Sequence, residues 1–330
     1  MKPTITALAI AVGMATMTAG AVHAQDVKMT LAHPYPDTQP IGDGFNLWAA
    51  RVNEISDGRI DVRVFPGGTL IGTTEMFSAV STGSVQAGGM IAGLQVGDIP
   101  ELAVFGLPFM FANDTEFRAA SDAGLFEMAQ AWYESKGIKL LNLFPHGSVE
   151  VFHTDKFILE PDDFKGVQIR GVGGPASAAL VALGANEVRL PASEVTTAMQ
   201  RGVADALITN CLAHIGRSWY EQTPYASVIG FANDAEGLGV NLEFWNGLSE
   251  EDQQVMMQAA GEMEDFEWDL MRDVGESRCI NEWKELGVNV AVATPEQTET
   301  LKAALAPVFE TYRSEIPALD EAQAIINSVR

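Results

Sequence analysis

Residues 165–210, KGVQIRGVGGPASAALVALGANEVRLPASEVTTAMQRGVADALITN, read as strand, helix, strand, helix, strand. Val167–Arg170 is a short extended run, followed by Pro175–Leu183, rich in alanine and leucine. Val188–Leu190 is extended again, and Pro191 and Ser193 open a helix through Gln200 with Ala192, Val195 and Met199 on its buried side. Asp205–Thr209 returns to strand. Short strands alternating with short helices imply α/β architecture with helical crossovers. In such sheets ligands collect beyond the carboxyl ends of the strands. Arg170 stands where the first strand runs out and Asn210 just past the third, so a ligand site is expected there.

Outward from this stretch, 330 residues exceed the size at which one core keeps growing, so two domains are expected. A hydrophobic share of 47% fits a folded α/β protein. The net charge of -24, from 20 basic and 44 acidic residues, argues against nucleic-acid binding, which needs phosphate neutralisation by Lys and Arg. It suits high solubility, with saline surroundings one way of screening the self-repulsion.

Residues 1–24 carry Lys2, an apolar stretch over Thr6–Ala19 and Val22-His23-Ala24, the pattern of an export signal cut before Gln25. A soluble mature protein in the periplasm is expected, without a lipid anchor. Cys211 and Cys279 could form one disulfide in that oxidising compartment or remain two buried thiols.

Val27–Ala32 alternates as a strand ending at His33, before the turn-rich Pro34-Tyr35-Pro36. Phe45, Trp48, Ala49, Val52 and Ile55 then mark one face of a helix, and Ile60–Phe65 a second strand. The N-terminal half therefore builds its own sheet. Chain crossings between domains are expected near residue 147 and over Ala232–Glu236, and strands over Ala226–Gly230 and Gly237–Asn241. Ser249 caps a long helix with Val255, Met256, Ala259, Met263, Phe266 and Leu270 on its core side. Thr294, Pro295 and Gln297 spell another helix start.

The glycine runs at 67–68 and 171–174 lack phosphate-loop or dinucleotide spacing. His33, His146, His153 and His214 have no metal-ligand spacing, and no serine sits in a GxSxG elbow. Neither a metal, a cofactor nor an enzyme activity is expected.

The chain resembles the substrate-binding subunits of tripartite ATP-independent periplasmic (TRAP) transporters, of the dicarboxylate-binding type. The resemblance rests on FPGGTLIGTTEMF at 65–77, LPFMF at 107–111, PDDFKGVQIR at 161–170, LVALGANEVRLPASEVTTAMQRGVADAL at 180–207 and Trp219-Tyr220-Glu221. It implies a periplasmic-binding-protein-like α/β fold, two lobes joined by crossing strands and a long helix. We divide it as lobe I, 25–147 plus 236–276, and lobe II, 148–235 plus 277–330. The lobes would close over a small organic acid for delivery to a small and a large integral membrane subunit. The alternatives are an exported ligand-binding receptor for a sensor kinase or chemoreceptor, and an enzyme acting on small organic acids.

The resemblance assigns Arg170 to the ligand carboxylate, where a planar guanidinium offers paired donors. Asn210 falls at a ligand-facing position, although its chemistry equally suits a helix cap. Glu194 either orients the pocket or sits in a helix's first turn. Trp219 and Phe144 are candidate walls, and His33 and Tyr35 reach from the first lobe. Relatives carry a second arginine near 150–156, where this chain has Glu150. That departure points to a monocarboxylate with hydroxyls, a sugar acid, or a zwitterion whose amine meets Glu150. Without such a ligand, Glu150 would need a partner such as His146 or His153.

Overall fold

The computed structural model describes residues 27–274 and 276–330, so the expected signal at 1–24 lies outside the described residues. The strands are β1 Val27–Ala32, β2 Ile60–Phe65, β3 Ala87–Ile91, β4 Ile138–Leu140, β5 Phe144–His153, β6 Gln168–Gly171, β7 Asn186–Arg189, β8 Ala206–Asn210, β9 Tyr225–Asn241 and β10 Asn289–Val292. They form a sheet ordered β2-β1-β3-β9-β5-β8-β6-β7, with β4 and β10 also pairing β9. The α/β class is as expected.

Each end of the sheet is a small parallel unit. β1 pairs in parallel with β2 and β3, and β6 pairs in parallel with β7 and β8. Each middle strand is therefore flanked by strands reached through crossovers in opposite directions, the arrangement that opens a crevice at its carboxyl end. β3 then pairs antiparallel with β9, and β8 antiparallel with β5. β5 and β9 pair with each other from Phe144↔Glu236 to His153↔Tyr225. They are the strands that join the two units.

The separate strands expected at 226–230 and 237–241 are one 17-residue strand, β9. Gly230 explains why the pattern reads as broken: its φ is +60°, a left-handed turn of backbone that glycine adopts freely. Facing it, the β5/β9 register shifts between Val149 and Val151. The Glu150 carboxylate accepts from the Ile229 and Gly230 amides at 2.7 and 2.9 Å and from Ser148 Oγ at 2.6 Å. A side chain thus takes over bonds that the bulge removes from the ladder. A second register shift, between Pro145 and Ser148, spans His146 and Gly147.

Helices cover the units: α1 Ile41–Ile55, α2 Gly174–Ala182, α3 Cys211–Gly216, α4 Glu250–Val274, α5 Glu276–Glu285, α6 Pro295–Glu315 and α7 Ala318–Ser328. Ser249 Oγ accepts from the Asp252 amide and donates to its carboxylate at the start of α4. Thr294 and Gln297 complete the capping box of α6. The buried side of α4 carries Val255, Met256, Ala259 and Met263 as expected, but continues through Glu267 and Trp268 rather than Phe266 and Leu270.

One core contains β1, β3, α1 and α4; two smaller ones flank β5 and β8. Leu319, Ala322 and Ile326 of α7 pack in the first core, although they lie in the segment that the sequence reading gives to lobe II. Their route is α6, which buries Leu301 and Leu305 in the second core, carries Pro307, and then packs Phe309 and Tyr312 against the first. Cys211 and Cys279 are disulfide-bonded with Cα atoms 6.1 Å apart, tying α3 to α5.

Candidate functional site

The chain leaves β1 at His33 and β6 next to Arg170, at the two crevices that the strand order creates. Arg170 is only 7% exposed. Its Nε and Nη2 both donate to the Leu190 carbonyl at 3.1 Å. Among the described residues no carboxylate lies within ion-pair distance of it. Burial, and secondarily the charge of Arg217, lowers its pKa to about 10, so it is cationic at neutral pH.

Trp219 stands beside it: the Arg170 and Arg217 guanidinium carbons lie 5.9 and 5.7 Å from its ring centroid. Arg217 is at the end of α3, and Ser218, with φ +54°, reverses the chain so that both Arg217 and Trp219 serve one locality. Asn210 caps α3, its Oδ1 accepting from the Ala213 amide at 2.8 Å while Nδ2 donates to the His146 carbonyl at 2.7 Å. Its cap chemistry is thus in use.

The first unit supplies groups of another kind. His33 is fully buried against Phe45, ring centroids 5.2 Å apart, and neither ring nitrogen has a partner among the described residues. Burial lowers its pKa to about 4, which leaves it neutral. Tyr35 donates its hydroxyl to Glu236 Oε2, and His146 Nε2 lies 3.0 Å from the Tyr35 hydroxyl oxygen and 3.9 Å from Glu236 Oε2. Burial lowers His146 to about 4 and raises Glu236 to about 8, so at neutral pH the first is uncharged and the second largely protonated. Glu236 Oε1 has no partner among the described residues.

The two units meet along two seams. Thr38 Oγ1 donates to the Gly216 carbonyl at 2.7 Å, and Arg217 Nη2 to the Pro34 carbonyl at 3.1 Å. At Gly216 a side-chain carbon would fall 2.7 Å from Gln39 Cγ and 2.9 Å from the Thr38 carbonyl oxygen. At Gly174 it would fall 2.7 Å from the Gly93 carbonyl oxygen. Both approaches are therefore close because the residue is glycine.

Arg170, Trp219, Asn210 and Tyr35 are thereby linked through Arg217 and His146. Phe144 is elsewhere, wholly buried in the first core, and the Glu194 side chain is exposed. Glu150 holds the β5/β9 bulge together through Ser148, Ile229 and Gly230. Arg217 and Glu236 went unread in the sequence. Arg217 looks like an ordinary helix-end cation until the left-handed turn at Ser218 is known. Glu236 sits in an apolar strand, and a buried acid in such a run was the available signal. A cavity of about 750 Å³ touches His146 and Asn210 but takes other walls from Met271, Trp283 and the Cys211–Cys279 bridge. No helix among the described residues is long and apolar enough to cross a membrane.

Comparison with known proteins agrees with this architecture. An ectoine/5-hydroxyectoine-binding periplasmic protein of Ruegeria pomeroyi is 27% identical over 89% of this chain and 90% of its own. A 2,3-diketo-L-gulonate-binding periplasmic protein of Escherichia coli is 24% identical over 84% of each. The crystal structure of a sugar acid binding protein from Advenella mimigardefordensis, in complex with galactonate, superposes with a TM-score of 0.88 over 93% of this chain and 99% of that one, at 22% identity. That likeness establishes the shared fold. The model of the DctP family matches residues 31–315, and the chain belongs to this family 7 of the bacterial extracellular solute-binding proteins.

Proposed function

We propose that the protein is an extracytoplasmic receptor that takes a small organic acid onto Arg170 and hands it to the small and large integral subunits of a TRAP transporter. The observation that carries this reading is the state of Arg170: buried, cationic, and met among the described residues by the Leu190 carbonyl and the Trp219 ring but by no carboxylate. A buried guanidinium without a counter-charge is costly, and a ligand carboxylate offsets that cost through two parallel hydrogen bonds. The ligands named for the similar proteins, ectoine, 2,3-diketo-L-gulonate and galactonate, all carry a carboxylate.

The recognition requires a closed form in which both strand-end crevices face one ligand. Lobe I is 25–147 plus 236–276 and lobe II 148–235 plus 277–330, with α7 packed back on lobe I. The register shifts at His146-Gly147 and at Glu150/Gly230 lie where β5 and β9 cross and supply the hinge. A ligand bridging the lobes favours closure by touching both only in that state.

The test is mass spectrometry of the acids released on denaturing purified protein, followed by calorimetry of each recovered acid. Tight binding of a carboxylate, returned chemically unchanged after long incubation, is the expected result. If neither the recovered compounds nor a panel of sugar acids, dicarboxylates and zwitterionic acids binds, the organic-acid reading fails.

A further inference from the structure

Arg217, half-buried where Arg170 is buried, likewise lacks a carboxylate partner among the described residues. Seven other arginines of this acidic chain, Arg51, Arg59, Arg118, Arg189, Arg272, Arg313 and Arg330, each lie within ion-pair distance of Asp or Glu, and Arg63 and Arg201, which do not among the described residues, are exposed to solvent. Arg217 has no such pairing among the described residues, although the chain has 44 acidic side chains to offer. Its partners are the Pro34 carbonyl and the face of Trp219. Two cations share one indole with no anion beside them.

We infer that Arg217 is a second anion-contacting residue of the site, acting with Arg170 around Trp219, and that together they select ligands with two negative charges over their singly charged counterparts. The inference rests on the organic-acid reading and refines it. The surroundings support the charge count. Glu236, bonded by the Tyr35 hydroxyl, is largely protonated, and Asp37, the carboxylate that acts on His33, is exposed to solvent, so the buried groups of the first unit bring no full negative charge to the pair. A singly charged ligand would leave one desolvated guanidinium uncompensated. The position of Arg217 also explains how a chain with Glu150, where relatives place a second arginine, supplies that charge from another element. Because its Nη2 reaches Pro34 in the first unit, Arg217 would meet the anion most fully when the seam is closed.

The experiment is calorimetry on the full mature protein with matched acids: malate against lactate, galactarate against galactonate, and sn-glycerol 3-phosphate against glycerate. The proteins are wild type, Arg217→Lys, Arg217→Gln and the exposed control Arg201→Gln, all checked for unchanged circular dichroism and melting. For at least one pair, the doubly charged member should bind wild type about tenfold more tightly or better. Arg217→Gln should remove that preference, Arg217→Lys should keep part of it, and Arg201→Gln should keep all of it. The phosphate and dicarboxylate arms identify the second anionic group. Equal weakening of both members by Arg217→Gln would reduce Arg217 to a lobe latch and overturn the inference, as would tight binding indifferent to it. Both of those outcomes leave the organic-acid reading standing. Wild type binding no acid in the set or among recovered compounds would overturn both.

Discussion

The two parallel units of the sheet, β2-β1-β3 and β7-β6-β8, repeat one topology with opposite chemistry at the end of the middle strand. The first sends out His33 and Tyr35, uncharged and backed by Glu236, whose buried carboxyl holds its proton. The second sends out Arg170 and, through α3, Arg217 and Trp219. Strand order provides a crevice in each unit, while the residues leaving the strands set its polarity. On the proposed function, the second unit takes the anion and the first takes hydroxyl or carbonyl groups on the rest of the solute.

The strongest way to break this division is Arg170→Ala. Losing the guanidinium should weaken carboxylate binding by about 2–5 kcal/mol, whereas His33→Asn should cost about 1 kcal/mol or less, read by calorimetry with the recovered acid. Comparable losses would mean that the units share the anion. Next comes the bridge that holds α3 against α5. The double change Cys211→Ser with Cys279→Ser opens a loop with a sequence separation of 68 residues and should lower unfolding stability by about 2–4 kcal/mol in denaturant titrations.

Gly216→Ala probes the seam between units. Its added carbon meets Thr38 and Gln39 only when the seam is shut, so affinity should fall by about 1–2 kcal/mol while the melting temperature of the ligand-free protein stays put. A drop in melting temperature with unchanged affinity would place that contact outside the binding cycle.

The smallest effect is a pH dependence. His33 and His146, lowered to about 4, and His214, lowered to about 3, bind protons first in the unfolded chain, so stability is lost as pH falls from 6.5 towards 4. Glu236 and Asp234, raised to about 8 and about 7, bind protons in the folded chain, so their contribution is lost as pH rises through those values. Above pH 6.5 the histidine contribution is complete and that of the acids is still falling. The melting temperature should therefore decline between about pH 6.5 and 8.5, and Glu236→Gln should flatten the slope. An unchanged slope in that variant would remove Glu236 from the account.

Much of this was legible in sequence because it depends on local pattern. The two strand–helix alternations gave the units, and Arg170 stood at a strand end that periodicity alone locates. The capping chemistry of Asn210 was visible, but not that its amide would also hold His146. What depends on backbone exceptions was hidden. A left-handed Ser218 is unusual for a residue with a side chain, so the pairing of Arg217 with Trp219 had no sequence signature. Gly230 broke one strand into two on paper. Glu267 interrupts the apolar stripe of α4, yet it is wholly buried because the helix packs against α1 at Gly44, where a side-chain carbon would fall 1.9 Å from its Oε1.

The division between the units is tested most directly by a crystal structure of the protein with its recovered acid. A carboxylate accepting from the Arg170 guanidinium beside Trp219, with the remaining oxygens turned towards His33 and Tyr35, is the result this account predicts. A carboxylate seated against His33 and His146, with Arg170 still bound only to the Leu190 carbonyl, would contradict it.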